Sequence, residues 1–181
     1  MKPYEENIQT FTAMFEGFAQ AVQRFEAAAN HGGPTETFVA LFEALNWAVA
    51  LDDRAAKHWT PEGEPLGWEW RERVHGAEIM RGVRFARNHV HHQWSDALEA
   101  TSGAQLPRAL PFPLGEWRWR SASELPALSH RDREGEALYE DQMQGQPARI
   151  TLQQIASVFN FLRKVMEPWT VRHSPVSDRL T

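Results

Sequence analysis

Residues 4–25 confine the fold of this chain more than any other stretch. Tyr4, Ile8, Phe11, Phe15, Phe18, Val22 and Phe25 recur at steps of four and three, which on an α-helix gathers them into one apolar stripe. Aromatic side chains fill much of that stripe, so it faces a deep core or a partner helix. "NHGGP" ends the segment: Gly32 and Gly33 can take the left-handed stop, and Pro34 suits the opening of a following helix. A second helix is expected from Thr35, its cap, to Trp59, burying Phe38, Leu41, Phe42, Leu45, Ala48 and Val49 over a wide arc. "TPEGEPLG" then reads as a loop.

A third helix is expected from Trp68 to about Leu98, with Ile79, Val83, Ala86, Val90, Trp94 and Ala97 facing inward. From 100 to 130 the texture changes to an irregular insertion rich in proline and tryptophan. Within it Trp117-Arg118-Trp119-Arg120 alternates as a short strand would. Helix returns in "DREGEALYEDQMQG" and again in "TLQQIASVFNFLRKVMEP", where Thr151 reads as a cap and Ile155, Val158, Phe159, Leu162 and Val165 point inward. Residues 169–181 read as a loose tail. The 181 residues suffice for one core. The expectation is therefore a single all-α domain, a helical bundle of about five helices with one insertion.

Charge and cysteine content narrow the function. A net charge of −5 argues against generic duplex binding, which needs a broadly basic surface. The chain has no cysteine, which excludes disulfides, thiolate-bound zinc and thiol catalysis. No apolar run approaches the roughly 18 residues a membrane span needs, and "MKPYEENIQTF" has no apolar signal core, so a cytoplasmic location is expected. The charge is uneven, however. Between Arg71 and His92 stand Arg71, Arg73, Arg81, Arg84 and Arg87 against only Glu72 and Glu78, together with four of the eight histidines. An anionic ligand would be drawn to that window.

Its centre is "RFARNHVHHQW", Arg84 to Trp94. On a helical wheel Arg84, Asn88, His91 and Ser95 form one strip beside the apolar stripe, with His92 one step further round. Arg87 falls nearer the apolar stripe, among Val83, Val90 and Trp94. An inward arginine is costly unless it is paired or opens onto a cleft.

Arg87-Asn88-His89-Val90-His91-His92 resembles the R-[N/D/H]-x-x-x-H motif of HEPN domains, compact all-α bundles that carry the motif on a late helix. The resemblance covers the bundle from about Tyr4 to Leu98 and the last helix, and leaves the insertion unaccounted for. It implies a metal-independent, cofactor-free endoribonuclease, often working as a homodimer with a shared cleft. In that chemistry a ribose 2′-OH attacks the adjacent phosphorus, leaving a 2′,3′-cyclic phosphate and a 5′-OH. The resemblance gives His92 the role of general base or acid. It sets Arg87 on the phosphoryl oxygens and makes Asn88 an orienting hydrogen-bond partner. Arg84 with His89 or His91 fits a looser form of the motif, so Arg84 and His91 are candidate substrate-binding residues. The family also implies a toxin or antiphage role and an antitoxin or other regulatory partner. Some HEPN toxins carry a tyrosine two residues after the motif histidine as a modification target; here that residue is Trp94.

Other readings of the same residues stand beside this one. The segment can be a solvated helix face with one snorkelling arginine, or an inert HEPN-like module that binds RNA or a nucleotide, or dimerises. It can also contribute to a metal site, since His89 and His92 are three apart, Glu72 and His75 have Glu-x-x-His spacing, and His58 could join them. Asp52 and Asp53 read as helix-end surface charges in preference to acids orienting Arg87 or a histidine. Trp117 and Trp119 could stack unpaired bases or pin the insertion to the bundle.

Overall fold

The computed structural model describes residues 3–58, 64–93, 97–101, 116–130 and 132–171. Helix α1 (Pro3–His31) packs against α2 (Pro34–Ala56). Phe11, Phe18, Val22 and Phe25 are buried as their spacing requires. Each fully buried phenylalanine contributes about 1.5–3 kcal/mol relative to exposure. The side chains of Tyr4 and Ile8 lie outside the described residues. The two helices approach so closely at Gly17 that a Cβ there would meet the Trp47 ring at 2.7 Å. Thr35 is not the cap of α2. It lies exposed inside the first turn, while Gly33 caps the helix and donates its backbone N–H to the Glu36 carboxylate at 3.0 Å. Pro34 at the first helical position shifts the start forward, because its missing N–H costs nothing there.

The expected long third helix is broken. A single turn, α3 (Trp70–Arg73), gives way to extended backbone at Val74 and to Gly76 at φ +78° before α4 (Ile79–Gln93) begins. Glycine alone holds that left-handed angle without strain, and Trp70, Val74 and Ala77 are buried through the corner. Leu98, expected to close the helix, starts strand β1 (Leu98–Thr101), which pairs antiparallel with β2 (Glu116–Trp119) in the register Leu98↔Trp119 to Thr101↔Glu116. Residues 102–115 of the insertion lie outside the described residues. The remainder is this hairpin and a 3-10 turn, Ala122–Glu124.

Strand β2 pins the insertion to the bundle. Trp119 is wholly buried, and its indole donates to Thr151 Oγ1 at 2.8 Å. Its backbone N–H donates to the Gln146 carbonyl, and its carbonyl accepts from Gly145, in the turn between α5 (Arg133–Gln142) and α6 (Ala148–Val171). Thr151 is therefore a buried acceptor within the first turn of α6 rather than its cap. Asp132 does cap α5, accepting from the Gly135 N–H at 2.9 Å. Helix α6 continues through residues 169–171, so the loose tail does not begin at Trp169, and residues 172–181 lie outside the described residues. The whole is an all-α bundle with a small two-stranded sheet. Helix α4 is held between α2 and α5, while α6 closes the core against α1 and β2.

Candidate functional site

Helix α4 is amphipathic in the expected sense. Ile79, Val83, Ala86 and Val90 are buried, while Arg84, Arg87, Asn88 and His91 are half-buried along its junction with α2. Trp94 and Ser95 lie outside the described residues. His89 sits about 200° round the wheel from Arg87 and is buried, its ring 4.4 Å from that of Phe85. Burial lowers its pKa, against a hydrogen bond to the Pro126 backbone and the charge of Glu136. The motif thus splits across the helix: Arg84, Arg87, Asn88 and His91 share one side, and His89 serves the other. His92 belongs to α4, but its side chain lies outside the described residues.

Arg84 is matched by acids. Its Nη2 donates at 2.5 Å to Asp52 Oδ2 and at 2.5 Å to Asp53 Oδ1. Burial alone would lower its pKa, but the bonds and charges of Asp52 and Asp53 raise it overall. Asp52 is wholly buried and also takes a two-pronged bond from Arg71, with Nε at 2.8 Å from Oδ1 and Nη2 on Oδ2. The surface reading of Asp52 is therefore overturned, and the acid orients Arg71 and Arg84 rather than Arg87. A sequence signal for this existed: Leu41, Leu45, Ala48 and Asp52 follow at steps of four, three and four, which puts Asp52 on the apolar stripe of α2. Trp68 lies against both arginines, with the Arg71 and Arg84 guanidinium carbons 4.7 and 5.2 Å from its ring centre.

Arg87 is held differently. Its Nε donates to Asn46 Oδ1 and its Nη1 to Asn88 Oδ1, both at 3.2 Å. Among the described residues no carboxylate bonds to it. Its pKa is lowered by burial and by repulsion from Arg84, partly offset by Asp53, yet a guanidinium keeps its proton across any working pH. Two amide oxygens fix the fork, and no described carboxylate is bonded to it, which leaves its charge open to an incoming anion. Asn46 on α2 carried no recognisable signal in the sequence. One turn on from Arg87, the His91 ring lies parallel to Phe42, 5.6 Å between centres and 12° apart in plane.

The strip is half-buried and lines none of the described cavities. The larger groove, about 920 Å³, runs between His75, Ile79, Gln142 and Phe161, and a second space of about 310 Å³ lies behind α4 beside His89, Leu125 and Glu136. None of Arg84, Arg87, Asn88 and His91 lines either one. Among the described residues no three histidine or acidic side chains converge as a metal site needs. His58 is buried edge-on to Phe11, and Glu72 and His75 stand exposed near the α3–α4 corner. Trp119 is enclosed and Trp117 is half-buried against the core, so the alternation in β2 serves attachment. No helix among the described residues is long and apolar enough to cross a membrane.

The chain matches no family model, no curated protein and no solved structure. The functional reading therefore rests on the sequence motif and on the α4 strip itself.

Proposed function

We propose that the chain is a metal-independent endoribonuclease of HEPN type, acting in the cytoplasm as a homodimer whose two α4 strips face one RNA strand. The observation that carries the proposal is Arg87, a half-buried cation oriented by two neutral oxygens and matched by no described carboxylate. A half-buried strip that lines none of the described cavities, with one preset positive charge, suits a polymer laid across it better than a small molecule, which needs a concave pocket. In the proposed reaction a ribose 2′-OH gives up its proton and attacks the adjacent phosphorus. The bond to the 5′ oxygen of the next nucleotide breaks, and that oxygen takes a proton. Arg87 holds the charge that gathers on the non-bridging oxygens. Asn88 fixes Arg87, and His92 moves the proton. His91 contributes a flat, oriented ring for substrate contact, while Arg84, already matched by Asp52 and Asp53, shapes the face beside it.

Arginine and histidine five residues apart do not share a helix face. A two-fold pair of α4 helices would bring Arg87 and His92 from both copies to one phosphate. The test is end-labelled RNA incubated with purified protein in EDTA, wild type beside His92→Ala, with the product ends identified. Fragments ending in 2′,3′-cyclic phosphate, lost in the variant, are expected. Binding without cleavage by a confirmed dimer would instead assign the strip to an inert RNA-binding module, and activity that needs added metal would reject the mechanism.

A further inference from the structure

We infer that Trp68 is a stacking platform for an unpaired base of the RNA whose phosphate rests on Arg87, an inference that builds on the ribonuclease reading of α4. Trp68 is one of three large apolar side chains left at least half exposed among the described residues, at 50%. Of the other two, Val39 and Phe161, the Phe161 ring has no cation stacked on it among the described residues. Both Arg71 and Arg84 donate to the same oxygen of Asp52, so their guanidinium groups stand side by side. Two cations that close together, 4.7 and 5.2 Å from the ring centre, pack against Trp68 while half of its surface stays exposed. The indole is therefore fixed from behind, where a free surface tryptophan would lose rotamer entropy on binding.

The charges around it suit a nucleotide. Arg71 and Arg84 are balanced by Asp52 and Asp53, so the platform carries no net charge to repel or compete with a phosphate bound beside it. The uncompensated cation is Arg87, three residues along α4 from Arg84, about 5 Å by the helical rise. Through Arg84, which contacts Trp68 and lies one helical turn from Arg87, an aromatic surface is linked to a cation with no bonded carboxylate among the described residues. A nucleotide offers an aromatic base beside one negative phosphate. Base–aromatic stacking is sequence-tolerant because every base has a π-face. Trp68 accordingly selects for unpaired strands over duplex, consistent with the acidic balance of the whole chain.

The test uses a labelled single-stranded RNA decamer made with 2′-O-methyl riboses, which cannot be cut, and the same backbone lacking every base. Affinity for both is measured by fluorescence anisotropy with wild type and Trp68→Ala, each at its measured folded fraction. Removing the bases should cost wild type about tenfold more affinity than it costs the variant, the size of one stacked base. Trp68→Phe should keep most of that difference. Equal losses in the two proteins, or no binding of the decamer, would overturn the inference. If Trp68 only covers the Asp52 cluster, the variant loses stability but the cycle between base and indole reads zero. Because the decamer cannot be cleaved, a base-dependent Trp68 contact would stand even if uncut natural RNA showed the ribonuclease reading to be wrong. Cleavage with a zero cycle would keep that reading and remove this one.

Discussion

Asp52 shows how far a single carboxylate decides the layout of the face. It is wholly buried and matched by Arg71 and Arg84, so Asp52→Ala leaves two cations without their partner and should destabilise the protein by about 3–5 kcal/mol. Arg87→Ala removes only two bonds to neutral oxygens from a half-buried side chain, and should cost about 1 kcal/mol. Urea unfolding of the two variants checks the contrast, and equal losses would mean that the Asp52 cluster is not the brace described. His58 gives a pH dependence of definite sign. Burial, with the charge of Arg54, lowers its pKa to about 4. The folded state therefore stays neutral while the unfolded chain takes up a proton below its ordinary value of about 6.5. Above that value His58 makes no difference; as pH falls from there toward 4, stability should drop by up to about 3 kcal/mol. Unfolding measured across that interval should show a shallower slope in His58→Phe, and an unchanged slope would remove His58 as the cause. At this scale the strip of Arg84, Asn88 and His91 was legible, because helical spacing alone sets it. The partners were not: Asp52 meets Arg71 and Arg84 across 19 and 32 residues, and local spacing holds no record of such pairings.

Among the elements, the α3–α4 corner turns on one backbone angle. Gly76 has φ +78° with only Val158 Cγ2 near a would-be Cβ, at 3.7 Å, so Gly76→Ala meets conformational strain rather than a clash. It should cost about 1–2 kcal/mol. Gly82 is the opposite case: a Cβ there would lie 3.0 Å from the Tyr139 amide nitrogen and 3.1 Å from Met143 Sδ. Gly82→Ala should force α5 away from α4 and cost about 1–3 kcal/mol. Thermal unfolding of the pair, together with NMR amide shifts around Tyr139, distinguishes the mechanisms, since only the Gly82 variant should move α5. An unshifted Tyr139 amide in that variant would contradict the close approach. Helices α1, α2 and α6 were legible because each carries an apolar stripe at helical spacing, whereas α5 buries only Gly135 and Tyr139 and shows no such stripe. The break at Gly76 had a signal that went unread: Trp70, Val74 and Ala77 lie about 180° round the wheel from Ile79, Val83, Ala86 and Val90, so one continuous helix could not bury both sets on one side. The strand at Trp117 was read one residue late, and its attachment to Thr151 could not be read, since a buried indole donor and its acceptor lie 32 residues apart.

The whole molecule is a bundle whose core holds α4 between α2 and α5, with a half-buried polar strip along α4. None of its three described cavities is lined by Arg87, so the proposed chemistry takes a second copy to close the cleft. Light scattering should give twice the chain mass, and a monomer cleaving RNA at full rate would remove the shared cleft from the account. The central claim is that Arg87, held by neutral oxygens, carries the phosphate. The measurement that meets it most directly is the rate of RNA cleavage in EDTA by wild type and by Arg87→Ala, both shown to be folded. Arg87→Ala should lose at least about a hundredfold, the scale on which removing one preorganised donor to a developing charge acts. Cleavage by Arg87→Ala at the wild-type rate would contradict it.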